Sequence, residues 1–152
     1  MQEALKQAKL AFEKGEIPVG AVVVFENKIV GRAYNQTEML RDPTAHAEMI
    51  AMTQASETLS DGKKDHRGSL EGASLYVTLE PCTMCAGALV LTKLKNLVYG
   101  TPDAKAGACQ SLYRIPQDDR LNHRVNVVSG VMEKEARIFL QEFFKGLRKE
   151  RR

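Results

Sequence analysis

The stretch at 19–25, VGAVVVF, is an almost unbroken apolar run behind Pro18. A strand that is apolar at odd and even positions alike has no face to offer water, so it belongs in a sheet covered on both sides. The rest of the chain supplies sheet partners and covers. KIVGRAY (28–34) follows after only Glu26-Asn27, which predicts an antiparallel hairpin. Residues 2–14 form an amphipathic helix in pattern, with Leu5, Ala8 and Phe12 on one face, Ala4 and Ala11 beside them, and Gly15 to end it. Residues 42–59 read as a second helix, capped by Asp42 or Thr44, with Ala47, Ile50 and Ala51 as its apolar stripe. The polar segment 60–72 is a loop, 73–79 a third strand, 82–94 a helix and 96–100 a fourth strand. Residues 101–124 have no period and carry Pro102 and Pro116, which implies a long functional loop with short helical turns. A fifth strand at 125–130 and a helix at 132–150 close the chain, with Ala136, Leu140, Phe143, Phe144 and Leu147 facing inward. The expected fold is α/β: a five-stranded mixed sheet in a three-layer α-β-α arrangement, one domain over residues 1–152.

Composition narrows the classes. A chain of 152 residues with 43% hydrophobic content can bury a core without disulfide staples. No segment approaches the run of about 20 apolar residues that a membrane span needs. The first fifteen residues are charged and helical in pattern rather than a secretory signal, so the expected location is the cytoplasm. The chain starts almost at its first helix, which leaves room for a longer native N-terminus. Net charge is +3, from 22 basic and 19 acidic residues, too small to demand an anionic partner. The tail 145–152 concentrates Lys145, Arg148, Lys149, Arg151 and Arg152 against Glu150. Such a tail is either a solvated helix end that complements the macrodipole or a phosphate-contacting patch.

The chemistry sits in two short stretches, HAE at 46–48 and PCTMC at 81–85. Cys82 and Cys85 are three residues apart, so on one helical turn they point the same way. Pro81 suits the start of a helix, where free N–H groups favour thiolates. His46, near the start of another helix, offers a third ligand. Two thiolates and a neutral imidazole make a neutral centre with Zn²⁺ and leave a fourth position for water, the pattern of a catalytic rather than a structural site. Glu48 stands two residues from His46 and need not bind metal to serve as proton shuttle. Alone, a CxxC is often structural or redox-active, and an HxE on a helix is ordinary. Together, in this order and with a strand leading into the second, they form the signature of zinc deaminases acting on nucleobases.

On these residues the chain resembles the cytidine deaminase superfamily and, within it, the bacterial tRNA adenosine deaminases. IPVGAVVV (17–24), DPTAHAE (42–48), LYVTLEPCTMCAGA (75–88), DAKAGA (103–108) and NHRV (122–125) carry the likeness, which runs from about Ala4 to Arg148. The resemblance implies a cytidine-deaminase-like fold and hydrolysis of adenosine to inosine at the wobble position of a tRNA anticodon. It implies one zinc per subunit on His46, Cys82 and Cys85, with Glu48 moving protons. It matches Asn35 to a purine-binding asparagine and Asp103, Lys105, Asn122 and His123 to segments that approach RNA. Phe144 and the basic C-terminal helix match the part that packs near the anticodon loop, and the assembly implied is a homodimer. From the residues alone, Asn35 is equally a turn residue at a strand end, and Asn122 and His123 equally polar loop residues.

Two rival readings stay open. One is a deaminase of a free base or nucleoside, such as guanine or cytosine. The other is a zinc-stabilised RNA-binding module without catalysis, which requires a fourth protein ligand; Cys109 is the spare cysteine, and its other reading is a small buried hydrophobe. His66 has no assigned role. The segment 56–72 contains more polar residues than the family pattern calls for, and is expected to alter a dimer edge or an RNA contact while leaving zinc binding intact.

Overall fold

The computed structural model describes residues 1–152. In chain order it contains α1 (Gln2–Glu13), β1 (Gly20–Phe25), β2 (Lys28–Tyr34), α2 (Thr37–Leu40), α3 (Ala47–Ser60), β3 (Ser74–Leu79), α4 (Thr83–Leu91), β4 (Asn96–Thr101), a 3₁₀ turn at Ile115–Gln117, β5 (Asn126–Val128) and α5 (Glu133–Glu150). The five strands form one sheet in the order β2-β1-β3-β4-β5. β1 is antiparallel to β2 and to β3, whereas β3, β4 and β5 run parallel. The mixed, helix-covered sheet matches the expectation from the apolar run, and β1 is buried from Gly20 to Val23.

Two glycines explain how closely the helices sit. A Cβ on Gly20 would stand 2.0 Å from the Ala4 carbonyl oxygen, and one on Gly31 would stand 2.2 Å from that of Ala51. Gly20 and Gly31 lie on opposite faces of the sheet, because Gly31 pairs with Val23, three residues from Gly20. Thus α1 presses on one face through Ala4, Ala8 and Ala11, and α3 on the other through Ala47, Ala51 and Ala55, all fully buried. α5 joins the layer of α1: Phe12 meets Phe139 and Phe143 at ring-centroid distances of 6.3 and 6.2 Å, and Ala136 abuts Gly100. α4 joins α3 in the opposite layer. The β1–β2 hairpin turns on Glu26 and Asn27, both with positive φ (49° and 62°), the tight two-residue turn that suits strand twist.

Several boundaries differ from the sequence reading. Helix α3 starts at Ala47, not at 42, and neither Asp42 nor Thr44 caps it. The Asp42 carboxylate instead accepts hydrogen bonds from Thr44 N (2.8 Å) and Thr44 Oγ1 (2.7 Å) and closes a separate turn. α2 was not anticipated, since four residues are too few to show a period. α4 ends at Leu91 rather than 94, with Pro81 one position before the residue that caps it. β5 keeps three residues of the expected six. Phe144, expected inward, is 43% exposed. The 61–72 segment is anchored: Leu70 is fully buried, its N–H donates to Thr92 O (2.7 Å), and Ser56 Oγ donates to Gly68 O (2.8 Å). β3 then begins at Ser74 and still leads to Cys82.

Candidate metal centre and active site

His46 and Cys82 occupy equivalent places. Each is the last extended residue before a helix, His46 before α3 (φ −76°, ψ 148°) and Cys82 before α4 (φ −73°, ψ 179°). Their carbonyls accept the first helical bonds, from Ile50 N (3.1 Å) and Ala86 N (2.8 Å). Two helix starts therefore meet, and their free N–H groups give the spot positive character. Cys85 enters from the first turn of α4, buried. His46 Nδ1 lies 3.5 Å from Cys82 Sγ and 3.6 Å from Cys85 Sγ. The three ligand atoms lie within 4.8 Å of one another and could hold a metal ion. The cysteines converge although Cys82 stands outside the helix, so their common direction comes from the helix cap rather than from a shared helical turn.

Charge is distributed unevenly here. Hydrogen bonding from Cys85, aided by His46, pulls the Cys82 thiol down to about 4 against the opposing effect of burial. The Cys85 thiol is pushed up by its bond to Cys82 and by burial. The bond to Cys82 raises His46. Glu48, on the first turn of α3, is 4% exposed. Burial pushes its carboxyl up to about 7, against the lowering effects of its own backbone N–H and of His46. Cys109 lies outside the ligand cluster: it is buried, and its Sγ faces Pro81 O at 3.8 Å. The requirement of the non-catalytic rival, a fourth ligand from Cys109, is not met by this geometry.

The remaining candidate residues divide into two groups. Asn35 is buried; its N–H donates to Val19 O (3.0 Å) and its Nδ2 to Thr37 Oγ1 (3.1 Å) and Glu16 Oε2 (3.4 Å). Asp103 closes the turn after β4, its Oδ1 accepting from Lys105 N (3.0 Å) and Ala106 N (3.2 Å). Asp103, Lys105 and Phe144 share a groove of about 800 Å³ between that turn and α5. Its floor includes Ile17, Leu79 and Leu140, and Arg137, Arg148 and Arg151 stand along it. A smaller cleft of about 550 Å³ holds His46, Thr37 and Arg41. Ile17 lines both, so the clefts adjoin. Asn122 is exposed, and the His123 ring makes a 2.6 Å contact through Nε2 with Leu94 O; neither lines the groove.

Two carboxylates escaped the sequence reading. Glu16, 1% exposed, receives Met39 N (2.7 Å) and Glu38 N (3.2 Å) and pins α2 beside Asn35. Glu80, 2% exposed, binds the loop after β4. The available signal was an acid set against a buried strand, in GEIPV and in TLEPC, where an unpaired charge is too costly to persist.

A helix-covered mixed sheet that gathers one His and two Cys at two helix starts, with a buried non-ligand carboxylate alongside, defines a deaminase-type centre. The chain belongs to the MafB19-like deaminase family, whose model matches residues 1–148. It is 46% identical, over all of its 152 residues and 91% of the relative, to the tRNA-specific adenosine deaminase of Bacillus subtilis. A structure solved in a study of A-to-I editing by tRNA:A34 deaminases at the wobble position of transfer RNA matches with a TM-score of 0.83 and 41% identity, over 92% of this chain and 97% of that one. Guanine deaminase from Bacillus subtilis aligns less extensively, with a TM-score of 0.59 and 32% identity over 66% of this chain and 61% of its own. No helix is long and apolar enough to cross a membrane.

Proposed function

We propose that this chain is a single zinc-dependent deaminase domain that converts adenosine to inosine at the wobble position of tRNA anticodons. The observation that carries the reading is the ligand geometry beside Glu48. Zinc bonds of about 2.3 Å to sulfur and about 2.0–2.1 Å to nitrogen, at tetrahedral angles, put sulfur and nitrogen about 3.6 Å apart. His46 Nδ1 stands 3.5 and 3.6 Å from the two sulfurs, so the donor set fits zinc in both chemistry and spacing. Zinc held there by His46, Cys82 and Cys85 would supply Lewis acidity and lower the pKa of water toward neutrality.

Glu48 does the proton work. A carboxyl near 7 gains and loses a proton with equal ease at neutral pH. It takes a proton from the attacking water and gives it to the purine ring nitrogen next to the amino-bearing carbon. It then helps protonate the departing amine, so adenosine and water become inosine and ammonia. Asn35, whose Nδ2 donates to Glu16 and Thr37, keeps its Oδ1 to accept from the purine edge. An anticodon loop already displays unstacked bases, so capturing one requires no melting of a duplex. The groove beside α5, with Asp103, Lys105 and Phe144, accepts neighbouring nucleotides: its apolar floor suits bases, and its arginines suit phosphates. Asn122 and His123, which lie outside the groove, are assigned to RNA beyond it on the family resemblance, and the enzyme acts as a cytoplasmic homodimer with one zinc per subunit. The 46% and 41% identities to tRNA-directed relatives, over nearly the whole chain, favour RNA over a free base.

The deciding experiment supplies an anticodon stem–loop with adenosine at the wobble position beside free adenosine, guanine and cytosine, and measures zinc in parallel. Inosine in the stem–loop with one zinc per chain is expected. Faster turnover of a free base overturns the RNA reading.

A further inference from the structure

The chemistry above leaves one buried carboxylate unused. Glu80 follows β3 and precedes Cys82 by two residues. Its Oε1 accepts from Gln110 N (2.7 Å) and Ser111 N (2.8 Å); its Oε2 accepts from Asp103 N (2.9 Å) and from Ser111 Oγ. These donors come from both ends of one loop, so a single side chain closes the loop at 103 and at 110–111. Main-chain bonds run alongside, Glu80 N to Thr101 O (2.9 Å) and Ala108 N to Pro81 O (2.8 Å). Inside the closure, a Cβ on Gly107 would fall 1.9 Å from Glu80 Oε2, so the backbone wraps the carboxylate too tightly for any side chain there.

We propose that Glu80 is a positioning residue: it fixes the 103–111 loop to the strand end that carries Cys82, and so sets where the Asp103–Lys105 wall of the groove stands relative to the reacting centre. The proposal rests on the reading of that groove as the seat of nucleotides flanking the target base. The metal ligands have their own supports, because His46, Cys82 and Cys85 stand at the starts of α3 and α4. The loop tip depends on the closure. Ala104 and Lys105 lie between the two fastened ends and also line the groove. Loosening the closure therefore costs substrate placement rather than metal or proton transfer.

The test uses the zinc-loaded enzyme, a wobble-adenosine stem–loop and two variants. Glu80→Gln keeps the side-chain shape but turns an N–H₂ toward one set of donors. Ser111→Ala, at an exposed residue, removes only the hydroxyl bond. With Glu80→Gln, KM should rise about tenfold with kcat within about twofold and zinc unchanged; Ser111→Ala should move KM the same way by about threefold. Amide exchange should quicken at Asp103, Gln110 and Ser111 while α3 and α4 stay protected. An unchanged KM, a fall confined to kcat, or loss of zinc overturns the proposal. If Glu80→Gln fails to fold, Ser111→Ala carries the same comparison. If the parent enzyme does not deaminate the stem–loop, the functional reading has failed on its own, and exchange still judges the closure: quickening confined to those three amides supports it, and none, or quickening throughout, overturns it.

Discussion

Glu48 and Glu80 are both nearly closed to solvent, 4% and 2% exposed, yet their environments push them in opposite directions. Glu48 stands on the first turn of α3 with few donors aimed at it, and burial lifts its carboxyl to about 7. Burial would raise Glu80 as well, but Ser111 Oγ and the Asp103, Ser111 and Gln110 amides outweigh it and hold Glu80 below its ordinary value. Two little-exposed glutamates therefore feel opposite surroundings: one carboxyl is lifted toward neutrality and the other is held below its ordinary value. Two things separate them: the Glu48 carboxyl is the more deeply desolvated, and the loop around Glu80 supplies it with more donors.

Breaking the ligand set should have the largest effect. Cys82→Ala should release zinc, abolish turnover and lower the melting temperature, since metal binding is coupled to folding; metal analysis with thermal denaturation checks it. Retention of one zinc per chain would remove Cys82 from the ligand set. Glu48→Ala comes next. It should keep zinc and lose roughly 10²–10⁴-fold in deamination, the usual worth of a positioned acid–base group. Near-normal turnover in that variant would end the proton-carrier reading. On stability the two acids should exchange places. Glu48→Gln should stay within about 1 kcal/mol of the parent, because it exchanges one poorly supplied group for another. Glu80→Ala should lose about 3 kcal/mol, because three loop amides are left without a partner. Chemical denaturation of both proteins settles it, and equal losses would mean that donor supply is not what distinguishes the sites.

The same contrast explains what could be read from the sequence. HAE and PCTMC announce themselves because metal chemistry needs particular side chains at short spacing, and the VGAVVVF run dictated a covered sheet. The hairpin at Glu26-Asn27 followed from chain separation alone. Glu80 gave no such signal, since its partners lie 23 to 31 residues away and three of its four donors come from the main chain. The start of α3 is not legible because Asp42 and Thr44 have the composition of a cap but use it on each other. Phe144 falls on the same helical stripe as Leu140, so the pattern points it inward although it is 43% exposed. The groove beneath it exists only once the 103–105 turn is folded opposite α5.

That groove yields the smallest prediction, and it separates two uses of the same charge. Four cations follow Gly146: Arg148, Lys149, Arg151 and Arg152. Trimming the chain after Gly146 should weaken stem–loop binding and flatten its salt dependence, but it also removes Leu147 from the groove floor. Charge removal alone is cleaner. Arg148 and Arg151 line the groove, whereas Lys149 and Arg152 do not. If the two arginines each neutralise a phosphate of the anticodon loop, replacing both with Gln should reduce the slope of log K against log salt by about 1.4, at about 0.7 per contact on single-stranded nucleic acid. Replacing Lys149 and Arg152 should change it far less. Binding titrations at three salt concentrations measure both slopes. Equal changes would make the tail a diffuse positive cloud, while a change confined to Arg148 and Arg151 would make the groove the RNA track.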